Sequence, residues 1–98
     1  MNIKKTLENG VLMVLLEGKL DTSTAPQATE EIEAELENAQ SIILDMKELK
    51  YISSAGLRLL LSLHKKMSGK GGMKVTNVNE TNMEIFEFTG FSDILDIE

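Results

Sequence analysis

The segment Tyr51-Ile52-Ser53-Ser54-Ala55-Gly56-Leu57-Arg58, continued by Leu59-Leu60-Leu61, decides how this chain is read. Two serines precede an apolar run of helical period, so a loop ends there and a helix begins. The spacing predicts that helix from about Ser54 to Ser68, with Gly69-Lys70-Gly71-Gly72 stopping it. A hydroxyl displayed at a helix N-terminus can cap the helix, bind an anion or accept a phosphoryl group. Choosing among these is the functional question.

Working outward, Ser41 to Asp45 reads as a buried strand before the segment, and Met73 to Thr76 as another after it. Near the start, Glu8-Asn9-Gly10 is a hairpin signal, because Asn-Gly readily takes the positive φ of a tight turn. It would join an edge strand, Ile3 to Leu7, to a buried one, Val11 to Leu16, which Gly18-Lys19-Leu20-Asp21 closes. Thr22-Ser23-Thr24-Ala25-Pro26-Gln27 carries hydroxyl caps, an early proline and a Thr-x-x-Gln capping box. Ala25, Ala28, Ile32, Leu36 and Ala39 then recur at helical spacing. Asn79 or Thr81 caps a third helix through Met83, Ile85, Phe86 and Phe88, which Gly90 ends, and Phe91 to Ile97 adds a short final element. The predicted order β-β-α-β-α-β-α is an α/β domain with a mixed sheet, spanning residues 1–98 as one domain.

Strands two, three and four each precede a helical crossover, so they should run parallel. Their C-terminal ends would then share one rim, bringing together Asp21 to Thr24, Ser53 to Gly56 and Asn77 to Asn79. Open α/β sheets usually bind at that edge.

Composition narrows the chemistry. A chain of 98 residues with 42% hydrophobic and 27% charged residues is an ordinary globule. Its net charge of −6 argues against nucleic acid or an anionic membrane as partner. Without cysteine there is no disulfide, thiolate metal site or thiol nucleophile. The apolar run Val11 to Leu16 is too short for a signal-peptide core or a membrane span, so a cytoplasmic location is expected.

A hydrolytic serine is not supported. Gly-x-Ser-x-Gly is missing, and the lone histidine, His64, lies roughly three helical turns beyond Ser54, too far for a Ser–His pair. The glycines at 69, 71 and 72 follow a helix instead of preceding one, unlike a phosphate loop. Ser53 is placed to be the N-cap, and Asp21 either caps the first helix or flanks Ser54. For Ser54 itself, capping and phosphorylation both stand. Leu57, Leu60, Leu61 and His64 form one stripe on the second helix, which Leu59, Leu63 and Met67 widen, so either the helix is covered on more than one side or part of it meets a partner, core burial being the expectation.

Together, Gly18-Lys19-Leu20-Asp21 with Thr-Ser-Thr-Ala-Pro, Ile42-Ile43-Leu44-Asp45, the Tyr51–Arg58 segment and Phe88-Thr89-Gly90-Phe91 resemble a stand-alone STAS domain, the anti-sigma factor antagonists of bacteria. The resemblance implies a sheet of four or five strands flanked by helices, and a partner switch without enzymatic activity or cofactor. It implies that an anti-sigma factor serine kinase phosphorylates Ser54 and thereby loses its hold on the antagonist, and that a PP2C-type phosphatase reverses this. Members often carry Asp before that serine; here Ser53 stands there and offers a second hydroxyl. The expected partner surface is Asp21, Thr22, Ser23, Thr24, Ser53, Ser54, Ala55, Gly56, Leu57 and Arg58. The alternative is an unphosphorylated STAS adaptor in a transport or signalling complex.

Overall fold

The computed structural model describes residues 1–98. In chain order it contains β1 (Asn2–Glu8), β2 (Val11–Leu20), α1 (Ala25–Leu36), β3 (Ser41–Asp45), β4 (Leu49–Ile52), α2 (Ser54–Met67), β5 (Met73–Thr76) and α3 (Glu80–Thr89). A 3₁₀ turn (Phe91–Asp93) and β6 (Asp96–Ile97) complete it. The hairpin between β1 and β2 turns on Asn9 at φ 51° and Gly10 at φ 81°, the two positive values a type I′ turn requires. Asn79 caps α3 as expected, its side chain accepting from Asn82 N at 2.8 Å, and Gly90 ends that helix at φ 85°.

The strands lie in the order β1-β2-β3-β5-β6. β1 is antiparallel to β2, while β2, β3, β5 and β6 run parallel. Two elements depart from the expected order. β2 does not end at Leu16: it passes through Gly18, at φ 105°, with a shift of register, and continues to Leu20. That extension has its own partner, β4, which occupies the stretch read as loop from Lys47. Thus the first half of β2 pairs β3 and its second half pairs β4. Five strands lie on the main path, within the expected number, and β4, which pairs β2 off that path, makes a sixth.

The stagger divides the anticipated rim. Asp45 stands opposite Leu15, and Thr76 opposite Asp45. β3 and β5 therefore end roughly 16 Å short of Leu20 at ~3.3 Å per residue. Asn77 to Asn79 stay on that lower step, where Asn77 donates to Asp45 and Asn79 to Leu49 O. Only Asp21 to Thr24 and Ser53 to Gly56 meet, at the end of β2 and β4.

A cluster of 23 buried apolar residues forms the core. β2 contributes Leu12, Val14, Leu16 and Leu20, all on one face, while Met13 on the other is 47% exposed. α1 contributes Ala25, Ala28, Ile32 and Leu36. α2 buries Leu57, Leu59, Leu60, Leu63 and Met67, which accounts for its broad apolar arc; each fully buried leucine is worth about 1.5–3 kcal/mol. Ala39 is buried but lies beyond the end of α1. There Lys70 Nζ donates to Leu36 O and Ala39 O, at 2.8 and 3.0 Å, and satisfies carbonyls that the helix leaves open.

Gly56, in the first turn of α2, sits against the strand ends. A Cβ there would lie 2.6 Å from Ile52 Cγ1, 2.9 Å from Leu20 Cγ and 3.0 Å from Leu20 O. Gly56→Ala is therefore expected to cost about 1–2 kcal/mol, the overpacking exceeding the ~1 kcal/mol gained in helix propensity. Gly69→Ala meets nothing within 4 Å and serves as the control. Urea denaturation should show a lower midpoint for Gly56→Ala alone; equal midpoints would contradict the close packing.

Candidate functional site

The site begins where β2 runs into α1. Asp21 Oδ1 accepts hydrogen bonds from Ser23 N at 3.0 Å, Ser23 Oγ at 2.7 Å and Thr24 N at 3.1 Å. Asp21 O accepts from Ala25 N at 2.8 Å, starting the helix. Thr24 holds the N-cap position, but its hydroxyl donates to Lys19 O at 2.8 Å and accepts from Asp21 N at 2.9 Å. The predicted Thr24–Gln27 capping box is therefore not formed, and Gln27 donates to Glu31 instead. Aspartate outcompetes threonine because its ionised oxygen accepts three donors at once. The Ser23 hydroxyl chiefly, with the N–H groups of Thr24 and Ser23, holds the Asp21 carboxyl below its usual 3.8, against an opposing cost of desolvation.

The second half comes from the β4–α2 junction. Ser53 N donates to Leu20 O and Ser53 O accepts from Leu57 N, both at 2.9 Å. Ser53 occupies the N-cap position, yet its side chain makes no capping bond, and its Oγ is buried without a hydrogen-bond partner. The expected side-chain cap is thus absent: main-chain anchoring to the strand fixes the residue, and its hydroxyl does not reach a free N–H of the first turn. α2 also has no acidic residue in its first turn. Its positive end stays uncompensated, with Ser54 exposed upon it.

Gly56 and Leu57, expected on the partner surface, are buried and can only position the residues around them. Thr22, Ser23, Ser54 and Arg58 are exposed; Asp21, Thr24, Ser53 and Ala55 are half-buried. Beside them, α1 and α2 border a groove of ≈ 550 Å³ lined by Thr22, Ala25, Pro26, Thr29, Glu30, Glu33, Ala55 and Arg58. The α1 wall lies outside the surface expected from the sequence, because glutamates along a helix carry no binding motif and are as readily a solvated face. Pro26, Thr29, Glu30 and Glu33 nonetheless share the i, i+3, i+4, i+7 spacing of one helical stripe. Glu33 is paired with Lys66 of α2, which ties the helices together below the groove. No helix is long and apolar enough to cross a membrane.

This arrangement has known counterparts. The chain matches the STAS domain over residues 2–98 and belongs to that family. It is 31% identical over 101 residues to the anti-sigma-B factor antagonist of Bacillus subtilis, covering 99% of this chain and 92% of that one. An anti-sigma factor antagonist from Mycobacterium paratuberculosis shares the fold with a TM-score of 0.89, at 21% identity over 98% of this chain and 83% of the other. The Bacillus cell fate determinant SpoIIAA in its phosphorylated form has a TM-score of 0.76, at 19% identity over 99% and 91% of the two chains.

Asp21→Ala should lower the denaturation midpoint at neutral pH by removing the acceptor that organises the α1 turn. A carboxyl lowered on folding stabilises fully above its unfolded value and loses that contribution as pH falls through the folded one. The gap between parent and variant should therefore narrow in urea titrations taken below pH 3.8. A gap that stays constant down to pH 2 would show that the carboxylate charge is irrelevant to the turn.

Proposed function

We propose that this chain is an anti-sigma factor antagonist whose grip on its anti-sigma factor is released by phosphorylation of Ser54. The observation that carries this reading is an exposed hydroxyl on the uncompensated first turn of α2, beside the groove between α1 and α2. The names of its relatives support the same role. The anti-sigma factor acts as kinase. Ser54 Oγ bonds to the γ-phosphorus of ATP while the bond to the ADP oxygen breaks, and the hydroxyl proton passes to a base on the kinase. A PP2C-type phosphatase hydrolyses the ester. The antagonist itself is substrate and binder, with no catalytic group of its own, and works in the cytoplasm as one domain of residues 1–98.

Energetics support a switch that acts on the complex and spares the fold. The phosphate adds about −1.5 to −2 charges. At the positive end of a helix an anion is favoured by roughly 0.3–1 kcal/mol. A partner packed over the same turn instead meets new bulk and charge, and losing about 2.8 kcal/mol of binding weakens it roughly a hundredfold. Ser53 is the poorer acceptor because its Oγ is buried.

Incubation with the anti-sigma kinase and ATP, followed by peptide mapping, should place a single phosphate on Ser54, and Ser54→Ala should accept none. Ser54→Asp should keep the parent's melting temperature and bind the kinase on the order of a hundredfold more weakly in calorimetry. Phosphate on another residue, or equal behaviour of the Ala and Asp variants toward the partner, would overturn the reading and favour a constitutive adaptor.

A further inference from the structure

The chain contains nine lysines and a single arginine, and that arginine is Arg58, four residues after Ser54 on α2. At this spacing the two side chains occupy one helix face, one turn apart. Helical side chains lean toward the N-terminus, so Arg58 reaches back over the turn that bears Ser54. Both residues are exposed, and Arg58 takes part in none of the four ion pairs, all of which use lysine. Although Glu30 and Glu33 line the same groove, neither pairs with it, and Glu33 is engaged by Lys66. Helix spacing thus puts a guanidinium without an ion-pair partner one turn from the modifiable hydroxyl.

We propose that Arg58 is the positioning residue for the phosphorylated state: its guanidinium folds back and binds the Ser54 phosphate through two parallel N–H···O bonds. This rests on the reading that Ser54 is the phosphoacceptor. An acidic group N-terminal to a basic one at i, i+4 is the favourable orientation on a helix. Arginine presents a planar fork that fits two phosphate oxygens, which lysine cannot do. The capture has two consequences. It fixes the phosphate over the first turn of α2, and it withdraws from the rim the one cation that borders the groove. A partner carboxylate that meets Arg58 in the unmodified protein loses its counterpart as the phosphate arrives. The remaining charged groups on the elements packed around this end of α2 are Asp21, Glu30 and Glu33 about α1, and Lys19 and Lys50 on the strands.

The test uses the full chain with phosphoserine installed genetically at position 54, so no kinase is needed. Phosphorus NMR should give a titration midpoint for this phosphate about 0.15–0.4 pH unit lower in the parent than in Arg58→Ala, as expected of an exposed i, i+4 ion pair. Arg58→Lys should recover part of that difference, the displacement that persists in Arg58→Ala relative to urea-unfolded protein being the share of the helix end, while the unmodified variants melt with the parent. Glu30→Gln serves as a control for the opposite wall and should leave the Arg58 dependence in place. Midpoints that agree between the parent and Arg58→Ala would overturn the clamp. That result leaves the phosphoacceptor reading intact, whereas failure of the kinase to modify Ser54 overturns the earlier reading without altering this titration.

Discussion

The first turn of α2 rests on the main chain of β2, and the position of every residue in the site follows from that contact. Gly56 allows it, because any Cβ would come within 3.0 Å of Leu20 O as well as into Ile52. Ser53 N seals it with a hydrogen bond to the same carbonyl. One peptide group of β2 thus receives the end of β4 and the beginning of α2 together. The chain then passes through Asp21 directly into α1. Two helix starts are brought side by side by a single close approach, and the groove between them is the space left over.

That contact exists only because β2 is long enough to serve two neighbours. Its first half is committed to β3, so a second parallel partner has to pair further along, beyond the irregularity at Gly18. β4 fills this place and carries Ser53 past the ends of β3 and β5. α3 secures the outer side of the step, where the side-chain amides of Asn79 and Asn82 both donate to Leu49 O. The edge that carries the candidate site is consequently the end of two strands, not of the whole sheet. A polar rim running across all the parallel strands would require a common register that these strands do not have.

Local chemistry was readable where one or two residues settle the backbone. Asn9-Gly10 announces its turn, Asn79 its cap and Gly90 its stop, since each supplies a conformation or an acceptor that few other residues offer. β4 was hidden because Leu49-Lys50-Tyr51-Ile52 exposes its two middle residues and buries its ends, a pattern with neither strand alternation nor helical period. The stepped rim was hidden for a different reason. Register between strands far apart in sequence depends on the summed packing of both faces, and no short motif encodes it. Competition among hydroxyl and carboxyl groups in one turn was equally opaque. Asp21, Ser23 and Thr24 can each cap α1, yet no side chain does: Asp21 instead accepts from Ser23 N and Thr24 N and organises the turn before the helix. The family resemblance pointed to the segment, while a local role such as the cap expected of Ser53 is decided by the three-dimensional arrangement.

The same competition leaves only two hydroxyls of this edge free. Ser23 and Thr24 are tied into the Asp21 turn, and Ser53 Oγ is buried. Thr22 and Ser54 remain exposed, with no hydrogen bond from either hydroxyl. Their electrostatic settings differ. Thr22 adjoins the ionised Asp21 carboxylate, whose charge opposes a second anion. Ser54 stands on a helix start with no acid in its first turn and with Arg58 one turn above. A phosphate on Thr22 would act against the turn that begins α1, whereas one on Ser54 adds to a helix end that lacks negative charge. Folding has tied up Ser23 and Thr24 and buried Ser53, and of the two hydroxyls left free Ser54 is the one whose modification it can best tolerate.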